Sequence, residues 1–149
     1  MKNLEKLVMT RALVKEERRQ GKWDQTVWVG GLGEADETGV RPVTCGTTAC
    51  VAGWAVLVDG GLFLSDQWVL ARPDDPKSRV TRIYADNDEL VEATGIEDRA
   101  RRLLGLDRYE ADELFDGDND YEDVTRILKR LIKEARKERK NVRQQERGW

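Results

Sequence analysis

The sequence predicts a mainly α protein of the α+β class. It reads as a single domain around a buried central helix, with a small β-hairpin or sheet and helices toward the C-terminus. Three observations carry this. First, Ala49-Cys50-Val51-Ala52-Gly53-Trp54-Ala55-Val56-Leu57-Val58 contains no polar side chain. It is too long for a typical buried strand and far too short to cross a bilayer, so it reads as a core helix. Second, the chain after Asp86 is a series of apolar stripes at helical spacing, separated by capping residues and glycines. Third, Val80-Thr81-Arg82-Ile83-Tyr84 alternates and is β-branched, which marks a strand. With 149 residues and 39% apolar content, the chain can bury one core.

Taken in order, residues 2–19 read as a helix with a stripe of Leu4, Leu7, Val8, Arg11 and Val14 or Ala12, stopped at Gly21. Lys22 to Val29, with Trp23 and Trp28, reads as a short extended segment. Residues 30–44 hold four glycines and a proline and read as a loop, mobile or insertion-like. The Gly30-Gly31-Leu32-Gly33 run lacks phosphate-loop spacing. The central helix is expected over 48–58, capped by Thr47 or Thr48 and stopped at Gly60 or Gly61. Ala49 and Gly53 offer a close approach to its backbone, and the Trp54 indole N–H needs a partner. Leu62-Phe63-Leu64 and Trp68-Val69-Leu70 form either a hairpin or helical turns. Arg72 to Lys77 reads as a turn. Asp86 and Glu89 resemble a capping box that opens a helix ending at Gly95. Ile96, Ala100, Leu103 and Leu104 stripe the next helix, which Gly105 ends. Asp107 and Glu110 cap a third. After an acidic loop at 116–120, a last helix carries Val124, Ile127, Leu128, Leu131, Ile132 and Ala135. Residues 1–135 form the expected globular domain; 136–149 form a basic helical extension or a frayed tail.

Charge is unevenly placed. Residues 1–22 hold seven Lys/Arg against three Glu. Residues 23–125 hold nine against 23 Asp/Glu, and residues 126–149 hold ten against three. Basic terminal helices that neutralise an acidic middle explain this most simply; a basic terminus that meets an anionic partner is the alternative. No histidine is present. That excludes Ser-His-Asp and Cys-His catalysis and histidine-containing metal sites. No apolar leader stands at residues 1–14, and two cysteines make no disulfide framework, so a cytoplasmic protein is expected.

Two places could carry function. Cys45-Gly46-Thr47-Thr48 precedes the central helix, where free N–H groups would favour a thiolate or bind a small anion. Trp23 and Trp28 complete this candidate ligand site. A Cys45–Cys50 redox pair is disfavoured by geometry. Lys129, Lys133, Arg136, Lys140 and Arg143 recur at three- or four-residue steps on one side of the last helix, a candidate partner surface. No aromatics are interleaved there, so nucleic acid is not favoured as its partner. Asp116-Gly117-Asp118-Asn119-Asp120 fails the calcium-loop pattern: Tyr121 stands at its glycine position and Ile127 at its bidentate glutamate position. No metal or cofactor is expected.

Cys45-Gly46-Thr47-Thr48-Ala49-Cys50-Val51-Ala52-Gly53-Trp54-Ala55, with Leu103-Leu104-Gly105-Leu106 and Glu110-Ala111-Asp112-Glu113-Leu114-Phe115, resembles a group of small uncharacterised proteins. They are encoded by bacteriophages of actinobacteria and by some bacterial genomes. The resemblance covers roughly residues 1–116. It implies a small protein of a mobile element, acting in the host cytoplasm, and assigns no residue a role. The expected function is therefore non-enzymatic binding that modulates a host protein. Sequestration of a small anionic ligand such as a nucleotide signal is the alternative, and a carboxylate–metal or cysteine enzyme comes last. A homo-oligomer remains open, and no membrane partner is expected.

Overall fold

A computed structural model describes residues 1–72, 79–85 and 87–148. The elements are α1 (Leu4–Arg19), β1 (Val29–Gly30), β2 (Thr48–Ala49), α2 (Val51–Val58), β3 (Trp68–Leu70), β4 (Thr81–Tyr84), β5 (Leu90–Gly95), α3 (Ile96–Leu104), α4 (Arg108–Phe115) and α5 (Tyr121–Arg147). This is the mainly α, α+β arrangement that the sequence predicts.

α2 is the core. Val51 to Val56 are all buried, and the helix packs against α1, α3 and α4. Its C-terminus follows the glycine stop. Gly60 takes φ +74°, Gly60 N–H donates to Leu57 O (3.0 Å) and Gly61 N–H to Val56 O (2.9 Å), which satisfies carbonyls of the last turn. Its start differs from expectation. Thr48 and Ala49 are extended and pair antiparallel with Gly30 and Val29, and Cys50 is the N-cap, without a side-chain cap bond. The Thr47 hydroxyl donates instead to Gly31 O (3.0 Å). The first helical N–H, on Val51, is taken by Gln25 Oε1 (3.2 Å). Gln25 Nε2 also donates to Leu114 O (2.9 Å) and Asp116 O (3.2 Å). One buried amide therefore joins the start of α2 to the end of α4.

Gly53 provides the close approach. A Cβ there would collide with the Trp28 carbonyl oxygen and lie 2.8 Å from Ala49 Cβ. The segment over the helix start thus runs against bare backbone. The Trp54 and Trp23 indole nitrogens are buried without a hydrogen-bond partner among the described residues, contrary to the expectation for Trp54.

The second sheet has the order β3-β5-β4, all antiparallel. Phe63 pairs with Val69, and Leu64 N–H donates to Trp68 O (2.8 Å), so the two apolar runs form a hairpin. The helix expected before Gly95 is instead β5, the middle strand. Its outer neighbours each need backbone partners, and pairing on both sides overrides the local helical pattern. Asp86, the expected cap, and most of the turn expected over 72–77 lie outside the described residues. β5 runs directly into α3, whose left-handed stop is Gly105, φ +71°.

α1 buries Leu7, Thr10 and Val14, while Val8, Arg11 and Ala12 of the expected stripe are exposed. The 30–44 loop is pinned. Arg41 N–H donates to Phe63 O (2.8 Å) and Asn87 Nδ2 to Glu37 O (2.7 Å). α4 opens with the predicted Asp107–Glu110 capping box, and α5 with one between Asp120 and Asp123. The six predicted apolar positions of α5 are its buried residues. The helix continues through residue 147, so 136–147 are helical rather than frayed.

Candidate functional site

The Cys45–Thr48 segment forms a closed turn. Thr44 Oγ1 and Thr47 Oγ1 both donate to Gly31 O (3.0 Å each). Gly46 N–H donates to Thr44 Oγ1 (3.1 Å), Thr44 N–H to Thr47 Oγ1 (2.9 Å) and Thr47 N–H to Thr44 O (3.2 Å). Of the groups expected to bind an anion, the Thr47 hydroxyl and N–H and the Gly46 N–H are engaged inside the turn. β2 also separates Cys45 from α2, so the free N–H groups of that helix do not face its thiol. Both cysteines are free thiols: Cys45 exposed, Cys50 buried. Burial pushes the Cys50 thiol up to about 11, which opposes thiolate chemistry. Its Sγ faces Trp28 O at 3.8 Å.

Trp23 and Trp28 each pack against another aromatic ring. The Trp23 ring meets Tyr121 edge-on (centroids 5.9 Å, 74°), and Trp28 meets Phe115 (6.3 Å, 84°). They fasten the 23–28 segment to α5 and α4, an aromatic packing role.

Two internal charge clusters organise the body, and neither shows a signature in the sequence because their members are far apart in the chain. Asp59, the C-cap of α2, receives Lys6 Nζ (3.1 Å), Arg72 (3.1 Å) and the almost fully buried Arg99. Cations at this helix end also complement its dipole. Lys2 sits among Glu110 (3.0 Å), Glu134 (3.5 Å) and Glu138 (3.0 Å). Burial works against the Lys2 charge, yet hydrogen bonds and attraction from Glu110 and Glu138 outweigh it and raise its pKa. Burial also opposes ionisation of Glu138, but the bonds from Lys2 prevail and hold its carboxyl below the usual range.

The outer face of α5 is different. Lys129, Lys133, Arg136, Lys140 and Arg143 are all exposed, and none forms an ion pair among the described residues. Steps of four, three, four and three residues keep them in one line. Of the cations beside this line, Arg126 pairs with Asp123, Arg130 with Glu113 and Arg139 with Glu5, while the exposed Lys137 forms no ion pair among the described residues. α1 lies antiparallel alongside, tied by Arg139–Glu5 at one end and by Arg18, 4.2 Å over the Tyr121 ring, at the other. Between those ties α1 exposes Arg11 and Lys15. Its Glu16 is bound by Arg19 and Gln20, which hold the carboxyl down to about 2. Residues 140–148 are exposed on every side, so the last two turns of α5 project bare from the body.

No helix among the described residues is long and apolar enough to cross a membrane. The chain matches no protein-family model, no curated protein and no solved structure.

Proposed function

We propose that this chain is a non-enzymatic binding protein that docks an anionic macromolecule along the outer face of α5. The observation that carries this reading is the line of five exposed cations without carboxylate partners among the described residues. On the flanks of this line, by contrast, Arg126, Arg130 and Arg139 each hold a carboxylate, as the exposed Arg19 does on α1. An uncompensated line is costly through self-repulsion and gains most from an anionic surface. The chain's lack of histidine and the internally bonded Cys45–Thr48 turn favour binding by α5 over thiol chemistry or small-anion capture at that turn. The phage-type resemblance supplies the setting, in which the partner is a host macromolecule.

The test is retention on an immobilised polyanion such as heparin, with elution by a salt gradient. The wild-type chain should elute at clearly higher salt than the triple variant Lys133→Glu, Arg136→Glu, Lys140→Glu. The three side chains are exposed, so the variant should keep its fold and melting temperature. Equal elution of the two proteins would show that this face is not the docking surface.

A further inference from the structure

Resting on that reading of α5, we infer that the anionic partner is double-stranded DNA and that the projecting end of the helix enters its major groove. Four observations converge. Among the described residues, the outer face carries no apolar anchor. From 129 to 147 the apolar residues Leu131, Ile132 and Ala135 are buried against the body, and Val142 alone is exposed, at 38%. Protein–protein interfaces centre on apolar and aromatic anchors in a desolvated core, which this face cannot supply. A purely electrostatic surface suits a phosphate backbone, whose charge density supplies binding by counterion release.

The spacing and shape also fit. The five cations span 14 helical steps, or about 21 Å at 1.5 Å per residue, so a charge recurs roughly every 5 Å. Beyond Ala135 the helix loses its apolar contacts, and from Lys140 it is exposed all round. A bare helix about 10–12 Å across matches a major groove about 12 Å wide. The helix dipole does not account for this charge, because its influence is confined to the final turn.

The projecting turns carry Lys140, Asn141, Arg143, Gln144, Gln145 and Arg147, with Val142 and a single carboxylate, Glu146, among them. Arginine and lysine pair with guanine edges, and asparagine and glutamine with adenine edges. The absence of aromatics that weighs against nucleic acid in general weighs specifically against single strands, which are held by stacking. RNA duplexes are disfavoured because their major groove is too narrow to admit side chains. The acidic loop at 116–120 lies at the opposite end of α5, about 40 Å away for 27 residues. Repulsion of that loop and attraction of the tip orient the molecule tip-first.

An isolated helical end is marginal in water, so binding should also rigidify it. The experiment is fluorescence anisotropy of a labelled 20-base-pair DNA duplex titrated with the full chain at several salt concentrations. Neutralising about five phosphates gives an expected slope of log K against log salt of about −4.5. Lys140→Gln with Arg143→Gln should weaken binding at least tenfold and reduce the slope by about 2. Amides of residues 140–147 should gain hydrogen-exchange protection in the complex. Binding to a single strand as tight as to the duplex would overturn the groove geometry. Failure to bind duplex, with face-dependent retention of polyglutamate, would overturn the DNA assignment and leave the binding function intact, with a protein as the partner. Failure with both polyanions would overturn both readings.

Discussion

At the scale of single residues, the side chains with the greatest structural consequence are polar. Gln25 satisfies the first N–H of α2 and two carbonyls at the end of α4 while buried. Truncation to Ala leaves those groups without partners in a dry site, where each unsatisfied group costs about 1–3 kcal/mol. Gln25→Ala should therefore destabilise the fold by about 2–4 kcal/mol, read from the urea midpoint at unchanged m-value. A loss below about 0.5 kcal/mol would mean that water reaches the site and replaces the amide. Thr47 makes the same point on a smaller scale. Its hydroxyl holds the carbonyl of Gly31 across 16 residues rather than capping the nearby helix. A threonine beside a helix start reads as a cap in sequence, but the nearest acceptor in space decides what it does.

At the scale of elements, α2 shows how a small residue sets the distance between two backbones. The Trp28 carbonyl occupies the space where a side chain at position 53 would begin. Gly53→Ala improves helix propensity by about 1 kcal/mol. Forced separation of backbone from backbone costs about 1–3 kcal/mol or more in a packed core. The net expectation is a lower melting temperature together with easier solvent access to the Trp28 segment, followed by tryptophan emission. A variant more stable than wild type would show that the segment can move away freely. β5 illustrates the opposite balance: its helical pattern is locally adequate but loses to strands that need a partner on each side.

At the scale of the whole molecule, charge is sorted by location. Opposite charges meet where chain segments join, at Asp59 and at Lys2, and an uncompensated positive line remains on α5. The Lys2 cluster ties the N-terminus to α4 and α5, so it should appear in the pH dependence of stability. Glu138 has a folded pKa below its ordinary value. Its contribution is present above the ordinary carboxylate pKa of about 4.3 and is lost as pH falls through the folded value. Lys2 is raised, so its contribution is full below about pH 10 and is lost only as pH rises beyond that. Lys2→Met leaves three carboxylates facing one another. It should lower stability at pH 7 by about 1–2 kcal/mol, after allowance for the partial exposure of Glu134 and Glu138. It should also flatten the fall in stability below pH 5, measured by urea melts from pH 7 to pH 3. Parallel acid profiles for the two proteins would remove the cluster from the account.

The sequence by itself determined the elements whose signals are local. Six apolar positions of α5, the Asp107–Glu110 capping box, the glycine stops after α2 and α3, the strand over Thr81–Tyr84 and the burial of 51–56 all follow from periodicity, capping chemistry and φ preference within a few residues. The alignment of the five cations on α5 follows from their spacing alone. Tertiary structure decided whatever depends on partners distant in the chain. It turned Thr48 and Ala49 into a strand by placing Val29 and Gly30 beside them, and made β5 a strand between two others. It engaged the Cys45–Thr48 turn with Gly31, placed Gln25 at two helix ends, and left the end of α5 bare on every side. The reason is physical. Helical periodicity and capping are short-range and recorded in neighbouring residues, whereas pairing, burial and exposure depend on which segments the whole fold brings together.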